Sequence, residues 1–246
     1  MTTHIPSQNT TYTASTTGET YILDPNVRVS SATVPGAFND TAAASDITFE
    51  VGGTLYATVA LSGIYSQSSN AHFVIDKSGI IIAGYGINLT GATPADIDNA
   101  GYIGGSYDGI YAASESGTIV NSGSIIGTVI GIEFADSPTR TNVSIDSNGL
   151  IAGASGIVIS GQHASITFGA GSQVMATTYG VLNNGADMVL KNAGTITASG
   201  GVAAYQGSTG VDNVTNTGEI VGNVNLGDGA DKFRESGAGH VVGIVA

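Results

Sequence analysis

Short runs in which apolar and polar residues alternate recur along the chain roughly every 22 residues. Each run is organised around one glycine, as in TIVNSGSIIG at 118–127 and NVTNTGEIVG at 213–222. β-Branched or other aliphatic residues stand four positions before that glycine and two positions after it. Alternation with a period of two predicts strands with one buried face. No apolar spacing of three and four residues persists, so the pattern predicts no helix.

Two glycines punctuate each repeat. The glycines that align the repeats are Gly53, Gly79, Gly101, Gly123, Gly149, Gly171, Gly194 and Gly218. A second glycine precedes an apolar residue in the pairs that begin at Gly63, Gly86, Gly109, Gly131, Gly156, Gly180 and Gly201. A fixed period of this length is typical of a solenoid. We therefore predict an all-β, single-stranded parallel β-helix of about eight coils, with equivalent strands roughly 4.8 Å apart.

The first part of the chain does not follow the repeat. Residues 1–46 are rich in Thr and Ser and contain Pro25 and Pro35. Because a solenoid needs its first apolar layer covered, we interpret this segment as an N-terminal cap and residues 47–246 as the β-helix.

Asparagine recurs two positions before the aligned glycine, at Asn99, Asn121, Asn192 and Asn216. Equivalent residues of successive coils lie above one another, and an asparagine amide can bond to the next asparagine in such a stack. We predict a structural asparagine ladder.

The charge balance narrows the range of partners. Six Lys and Arg oppose 19 Asp and Glu, which gives a formal net charge of −13. Such a surface repels nucleic-acid phosphates and anionic membranes. No apolar run has the length of a membrane span, so we expect no membrane insertion. Cysteine is absent, which excludes disulfides and thiolate sites.

Three aspartates, Asp76, Asp98 and Asp146, precede the aligned glycine by three positions. If Asp76 and Asp98 stack on neighbouring coils, the pair could serve glycoside hydrolysis or bind Ca²⁺. The competing interpretation is a solvated acidic edge that opposes aggregation. The six basic residues are scattered, which disfavours cleavage of an acidic polymer.

Tyrosines are concentrated in the first half of the repeats, at Tyr65, Tyr85, Tyr107 and Tyr111. Tyr65 and Tyr111 both stand two positions after the second glycine. Outward tyrosines could bind a sugar or a partner, and isolated surface aromatics are the alternative.

The repeat resembles the β-helical regions of autotransporter passengers and adhesin-like proteins, best in NSGSIIG (121–127) and NAGTITASG (192–200). The segment LGDGADKFR (226–234) is similar to the RTX, hemolysin-type nonapeptide, although Leu226 replaces its first glycine. That resemblance implies a Ca²⁺ half-site at Asp228 and Asp231. An acidic turn that closes the last coil is the alternative, and we expect RTX-like repeats to continue beyond residue 246.

These patterns favour a non-catalytic structural or adhesive module of a secreted or surface bacterial protein. A carbohydrate-active β-helix enzyme that uses surface carboxylates is the second hypothesis. The expected partners are a glycan, a host or cell-surface receptor, or other copies of the chain. The start lacks a Sec signal peptide, so we expect type I secretion. The apolar stretch 240–246 predicts a weak end-to-end dimer through an unpaired strand edge.

Overall fold

A computed structural model describes residues 1–40, 44–90, 94–113, 116–135 and 142–246. These residues form 29 short strands and no helix. Accordingly, the described chain contains no helix long and apolar enough to cross a membrane. The strands pair in parallel with the equivalent strand of the next turn. The predicted fold class is confirmed.

The strands follow one another in this order along the chain: β1 (Thr2–His4), β2 (Tyr12–Ala14), β3 (Thr20–Leu23), β4 (Arg28–Ser31), β5 (Gly36–Asp40), β6 (Thr48–Val51), β7 (Thr54–Ala57), β8 (Ser62–Ser66), β9 (His72–Ile75), β10 (Ile80–Ala83), β11 (Tyr85–Leu89), β12 (Ala95–Asn99), β13 (Tyr102–Gly105), β14 (Asp108–Ala112), β15 (Gly117–Asn121), β16 (Ser124–Gly127), β17 (Ile130–Phe134), β18 (Val143–Ser147), β19 (Leu150–Ile159), β20 (Ala164–Phe168), β21 (Gln173–Asn183), β22 (Met188–Asn192), β23 (Thr195–Ala198), β24 (Ala203–Gln206), β25 (Asp212–Asn216), β26 (Glu219–Val221), β27 (Val224–Asn225), β28 (Lys232–Glu235) and β29 (His240–Val242).

Each turn contributes to three faces. The first face is an 11-stranded sheet that begins with β1, β3 and β6 and ends with β25 and β28. The second face runs from β4 and β7 to β26 and β29, and the third from β2 and β5 to β24 and β27. The second and third faces form one 18-stranded sheet because β19 and β21 continue through both.

The solenoid has about nine turns, slightly more than the eight predicted, with a reduced turn at each end. The additional turns come from residues 1–46, which were predicted to lie outside the repeat. There, β3 pairs with β6, β4 with β7, and β5 with β8. TYIL at 20–23 and RVSS at 28–31 alternate inward and outward residues as the later strands do, although they lack the glycine motif.

Columns of identical or similar side chains fill the interior. The second face contributes Ile81, Ile103, Ile125, Ile151, Val174, Ile196 and Ile220, all fully buried. Burying a side chain of this size contributes about 1.5–3 kcal/mol. Repetition of one residue type keeps each layer the same width, so successive turns can stack without a gap. The inward assignment of these isoleucines is confirmed.

Two details of the predicted alignment differ from the structure. Residues 76–78 lengthen one turn, so Ile97 lies opposite Phe73 rather than Ile75. In a later turn, Val181 lies opposite Tyr205, which puts Ala204 in the place expected for Gly201. Elsewhere the second glycine is needed: a Cβ on Gly86 would lie 2.4 Å from the Gly109 carbonyl oxygen.

Candidate functional site

Three of the four predicted tyrosines meet on the third face. The rings of Tyr85 and Tyr107 stack with centroids 5.5 Å apart, and those of Tyr85 and Tyr111 meet edge to face at 5.8 Å. Tyr85 and Tyr111 come from β11 and β14 on consecutive turns, whereas Tyr107 lies at the corner before β14. Tyr65 is two turns from Tyr111, with Asn88 between them. The cluster is therefore a surface of three rings.

Two carboxyl groups adjoin these rings, and the sequence patterns did not single out either of them. Asp108 lies next to Tyr85 by the register of β11 and β14, and Glu133 pairs with Tyr111 across β14 and β17. The side chains of Asp108 and Glu133 lie close enough for hydrogen bonding and charge repulsion to affect the pKa of Asp108. Glu133 stands two positions after the second glycine of its repeat, as Tyr65 and Tyr111 do. The repeat pattern therefore indicated that Glu133 shares their outward column. We call Tyr85, Tyr107, Asp108, Tyr111 and Glu133 the tyrosine–carboxyl site.

The electrostatics of this pair are unusual for a protein surface. Burial, then repulsion by Glu133 and the hydrogen bond with it, raise the pKa of Asp108 from 3.8 to about 7. The Ile130 N–H donates to Asp108 and partly opposes this shift. Burial and the neighbouring acids also raise the pKa of Tyr85. With a pKa of about 7, Asp108 is about half protonated at neutral pH, whereas an ordinary surface aspartate is fully ionised.

Next to this site, Asn88 has a buried side-chain oxygen without a hydrogen-bond partner in the described structure. Its strand register places Asn88 between Tyr65 and Tyr111. Tyrosine rings with adjacent carboxyl and amide groups can bind a sugar, since the rings contact its apolar face and the polar groups bond its hydroxyls.

The geometry fits binding better than hydrolysis. Retaining glycosidases hold their two carboxyl groups roughly 5–5.5 Å apart, and inverting enzymes hold them farther apart. Asp108 is buried close to Glu133, which leaves little room for a scissile bond and a water molecule between the two carboxyl groups. Moreover, the third-face strands that carry the site, β11, β14 and β17, contain no Lys or Arg.

The predicted acidic ladder of Asp76, Asp98 and Asp146 does not form. Asp76 lies in the lengthened turn, so Asp98 pairs with Val74 instead. Val120 separates Asp98 from Asp146 on the first face. Asp98 is instead bonded to His72, with Nε2 3.0 Å from Oδ2. Asp76 and Asp98 do line one shallow depression of about 120 Å³, but as residues of a turn and a strand rather than as a stacked pair.

The asparagines form two buried segments. Asn99 Nδ2 donates to Asn121 Oδ1 at 2.8 Å, and Asn192 donates to Asn216 at the same distance. Ser147 and Phe168 occupy the intervening positions of the column and interrupt it. These amides also bond to turn backbone, as Asn192 does at Gly194, so their contacts are structural.

The C-terminal acidic residues occupy the turn before β28. Asp231 Oδ1 accepts a hydrogen bond from the Asp212 backbone N–H at 2.8 Å, whereas Asp228 is exposed. Within the described ranges, no three His, Asp or Glu side chains are grouped as a metal site. Asp231 therefore has a structural contact whether or not calcium binds.

A further buried acid, Asp212, lies inside the solenoid near this end. Asp212 Oδ1 accepts from Asn183 Nδ2 at 3.0 Å and from the Met188 N–H at 3.1 Å. Burial raises the pKa of Asp212, and the adjacent Tyr205 hydroxyl partly offsets that effect. Asp212 and Tyr205 are fully enclosed, so we assign this pair to the core rather than to a ligand site.

Comparisons with models of protein families, with curated proteins and with solved structures found no match for this chain.

Proposed function

We propose that this chain is a non-catalytic adhesive module, a rigid solenoid that binds a glycan through the tyrosine–carboxyl site. The observation that supports this function is the meeting of three tyrosine rings from two consecutive turns beside the carboxyl groups of Asp108 and Glu133. The regular backbone holds these groups at a fixed spacing, so binding would require little ordering of the protein.

The ligand would be neutral rather than acidic. The chain has a net charge of −13, and no basic side chain lies in β11, β14 or β17 to pair with a carboxylate or sulfate. Hydroxyl groups of a sugar can donate hydrogen bonds to the Glu133 carboxyl group. In keeping with the resemblance to adhesin-like regions, we place the module in a secreted or surface bacterial protein, with a glycan or a cell-surface receptor as its partner.

Binding to an array of neutral oligosaccharides tests this proposal. Tyr107→Ala should reduce binding at least about tenfold, since one exposed aromatic anchor can contribute more than 1 kcal/mol. Tyr179→Ala is the control, because Tyr179 occupies the same third-face column as Tyr85 but lies four turns away. Absence of any glycan binding, or equal loss in both variants, would contradict the proposal.

A carbohydrate-active enzyme is the second candidate function. A carboxyl group with a pKa of about 7 could act as a general acid at neutral pH, which is the observation in its favour. Incubation with the oligosaccharides that bind, followed by measurement of new reducing ends, distinguishes the two functions. Cleavage that Asp108→Asn abolishes would establish the enzyme, whereas binding without cleavage agrees with the adhesive module.

A further inference from the structure

The second face carries no charged side chain over seven consecutive turns. Its strands there are β7, β10, β13, β16, the first four residues of β19 and of β21, and β23. They read TLYA, IIIA, YIGG, SIIG, LIAG, QVMA and TITA. With 19 acidic and 6 basic residues in the chain, a surface of this extent without any charge distinguishes this face from the rest.

One outward column of this face consists of apolar residues. One column runs through Tyr56, Ile82, Gly104, Ile126, Ala152 and Met175 on successive turns. Ile82 is 44% exposed and Met175 is 54% exposed. At Gly104, the absence of a side chain contributes to a groove of about 290 Å³, and the Tyr102 ring packs across the glycine. Contiguous apolar surface of this kind marks an interaction site.

Charged residues of opposite sign lie at the two ends of the uncharged second face. Arg28 lies at one end and Glu219 at the other, and the strand registers place both in the same outward column. Both residues are exposed. The Arg28 guanidinium lies 5.4 Å from the centre of the Tyr56 ring, at the edge of the apolar stretch.

We propose that the uncharged second face binds the same face of a second copy of this chain, with the two solenoid axes antiparallel. A two-fold axis along the strand direction keeps each column opposite itself and reverses the order of the turns. That operation brings Arg28 opposite the partner's Glu219, and Ile82 opposite the partner's Met175. Ile126, on the middle turn, lies nearest the two-fold axis.

The charge distribution selects a second copy as the occupant. Two chains that each carry −13 repel wherever acidic surfaces meet, and an uncharged face is where that repulsion is weakest. Only in the antiparallel arrangement does Arg28 of each chain lie opposite Glu219 of the other chain, which gives two oppositely charged pairs per dimer. A parallel arrangement would place each charge beside its own equivalent, which disfavours it.

The size of the face is sufficient for a dimer. The seven uncharged strands together with β4 and β26 make nine strands about 4.8 Å apart, and with about four residues of 3.3 Å in each they give a projected area of about 500 Å². Two such faces would bury about 1,000 Å² in total, which reaches the lower limit for a specific interface.

Sedimentation velocity over a concentration series tests the interface. The parent should dimerise, and Ile82→Glu should raise the dimer dissociation constant at least about tenfold because each copy buries an unpaired charge. Val189→Glu is the control, since Val189 is 39% exposed but lies on the first face. A parent that remains monomeric at the highest concentration would overturn the proposal, and so would equal effects of the two variants.

A charge exchange tests the antiparallel orientation. Arg28→Glu and Glu219→Arg should each weaken the dimer, and the double variant should restore the parent's dissociation constant. An additive loss in the double variant would overturn the orientation. Circular dichroism of each variant establishes that it is folded.

A cross-linking measurement does not depend on the charge variants. The chain has no cysteine, so Ile82→Cys and Met175→Cys each introduce a single thiol. A mixture of the two should form disulfide-linked heterodimers in excess of either homodimer. Association that survives Ile82→Glu but disappears when residues 240–246 are removed would be end-to-end pairing, and it would overturn the lateral interface.

Discussion

Asp108 is buried beside Glu133 of the next turn on the third face, and this burial, together with the repulsion between the two carboxyl groups, makes the stability of the solenoid depend on pH. Asp108 has a pKa of about 7 in the folded chain and an ordinary value of 3.8. Between these values, the unfolded chain releases the proton and the folded chain retains it. Unfolding is thereby favoured as the pH rises from about 4 to about 7, and above that range the dependence on Asp108 ends.

We expect Asp108→Asn to remove this loss of stability, because the amide stays uncharged at every pH. When the pH is raised from 5 to 8, the free energy of unfolding of the variant should increase by about 1–2 kcal/mol relative to that of the parent. This gain is smaller than the full pKa difference implies, because the site borders solvent. Thermal or urea unfolding at both pH values measures the change. Asp146→Asn, at an exposed first-face position, is the control; an equal gain there would exclude the Asp108–Glu133 pair as the cause.

The repeat could be predicted from the sequence because its glycines and isoleucines occupy the same local geometry in many successive turns. Ile103, Ile125 and Ile151 occupy equivalent positions in the motif and in the structure. The predicted register is wrong where a turn changes length, as at residues 76–78. Counting backwards from Gly79 predicts the register only if every repeat has a loop of the same length. The predicted register is also wrong where alanine replaces glycine, as at Ala204, because the turn tolerates a methyl group there.

The tyrosines of the candidate site could be predicted, but the carboxyl pair could not. A shared repeat position placed Tyr111 on the outer surface, and Glu133 occupies the same column one turn later. Whether the side chains of Asp108 and Glu133 approach each other depends on their conformations and on the burial of Asp108. A repeat pattern predicts which residues lie in the same column. It does not predict contacts between residues of two different columns, which depend on the three-dimensional structure.

The inward and outward positions of β16 give a second prediction. Ile125 is fully buried, whereas the adjacent Ile126 projects from the second face. Ile125→Asn should lower the free energy of unfolding by about 4 kcal/mol or more, because it adds an unsatisfied polar group to the lost packing. Ile126→Asn should cost less than about 1 kcal/mol when unfolding is measured at low concentration, where the chain is monomeric and the proposed dimer face is open to solvent. Similar urea midpoints for the two variants would show that the burial assignment is wrong.

The buried amide pair gives a third prediction. Asn192 Nδ2 donates to Asn216 Oδ1 at 2.8 Å, and its own Oδ1 accepts from the Gly194 N–H at 3.1 Å. Asn192→Ala should cost about 2–3 kcal/mol, since both partners lose a bond inside the core. Asn213→Ala, at an outward position of β25, should change stability by less than about 0.5 kcal/mol. Denaturant unfolding that fails to separate the two variants would show that the ladder is not stabilising.

The last prediction concerns calcium at the C-terminal turn. If Asp228 and Asp231 provide a half-site, millimolar Ca²⁺ should slow proteolysis of the strands from β25 onward, and Mg²⁺ should not substitute because it demands smaller, octahedral coordination. The structure makes Asp231 alone an ambiguous test, since its carboxylate already accepts a bond from the Asp212 N–H. Asp231→Ala should therefore increase proteolysis even in the presence of a chelator.

Asp228 separates the two roles, because its side chain is exposed and has no hydrogen bond among the described residues. Asp228→Ala should leave the chelated protein as resistant as the parent and should abolish only the protection that Ca²⁺ adds. Limited proteolysis of the parent and both variants, each with chelator, Ca²⁺ or Mg²⁺, measures this difference. If Ca²⁺ does not protect the parent, or protects Asp228→Ala equally well, the turn is a structural acidic turn held by the Asp231–Asp212 hydrogen bond.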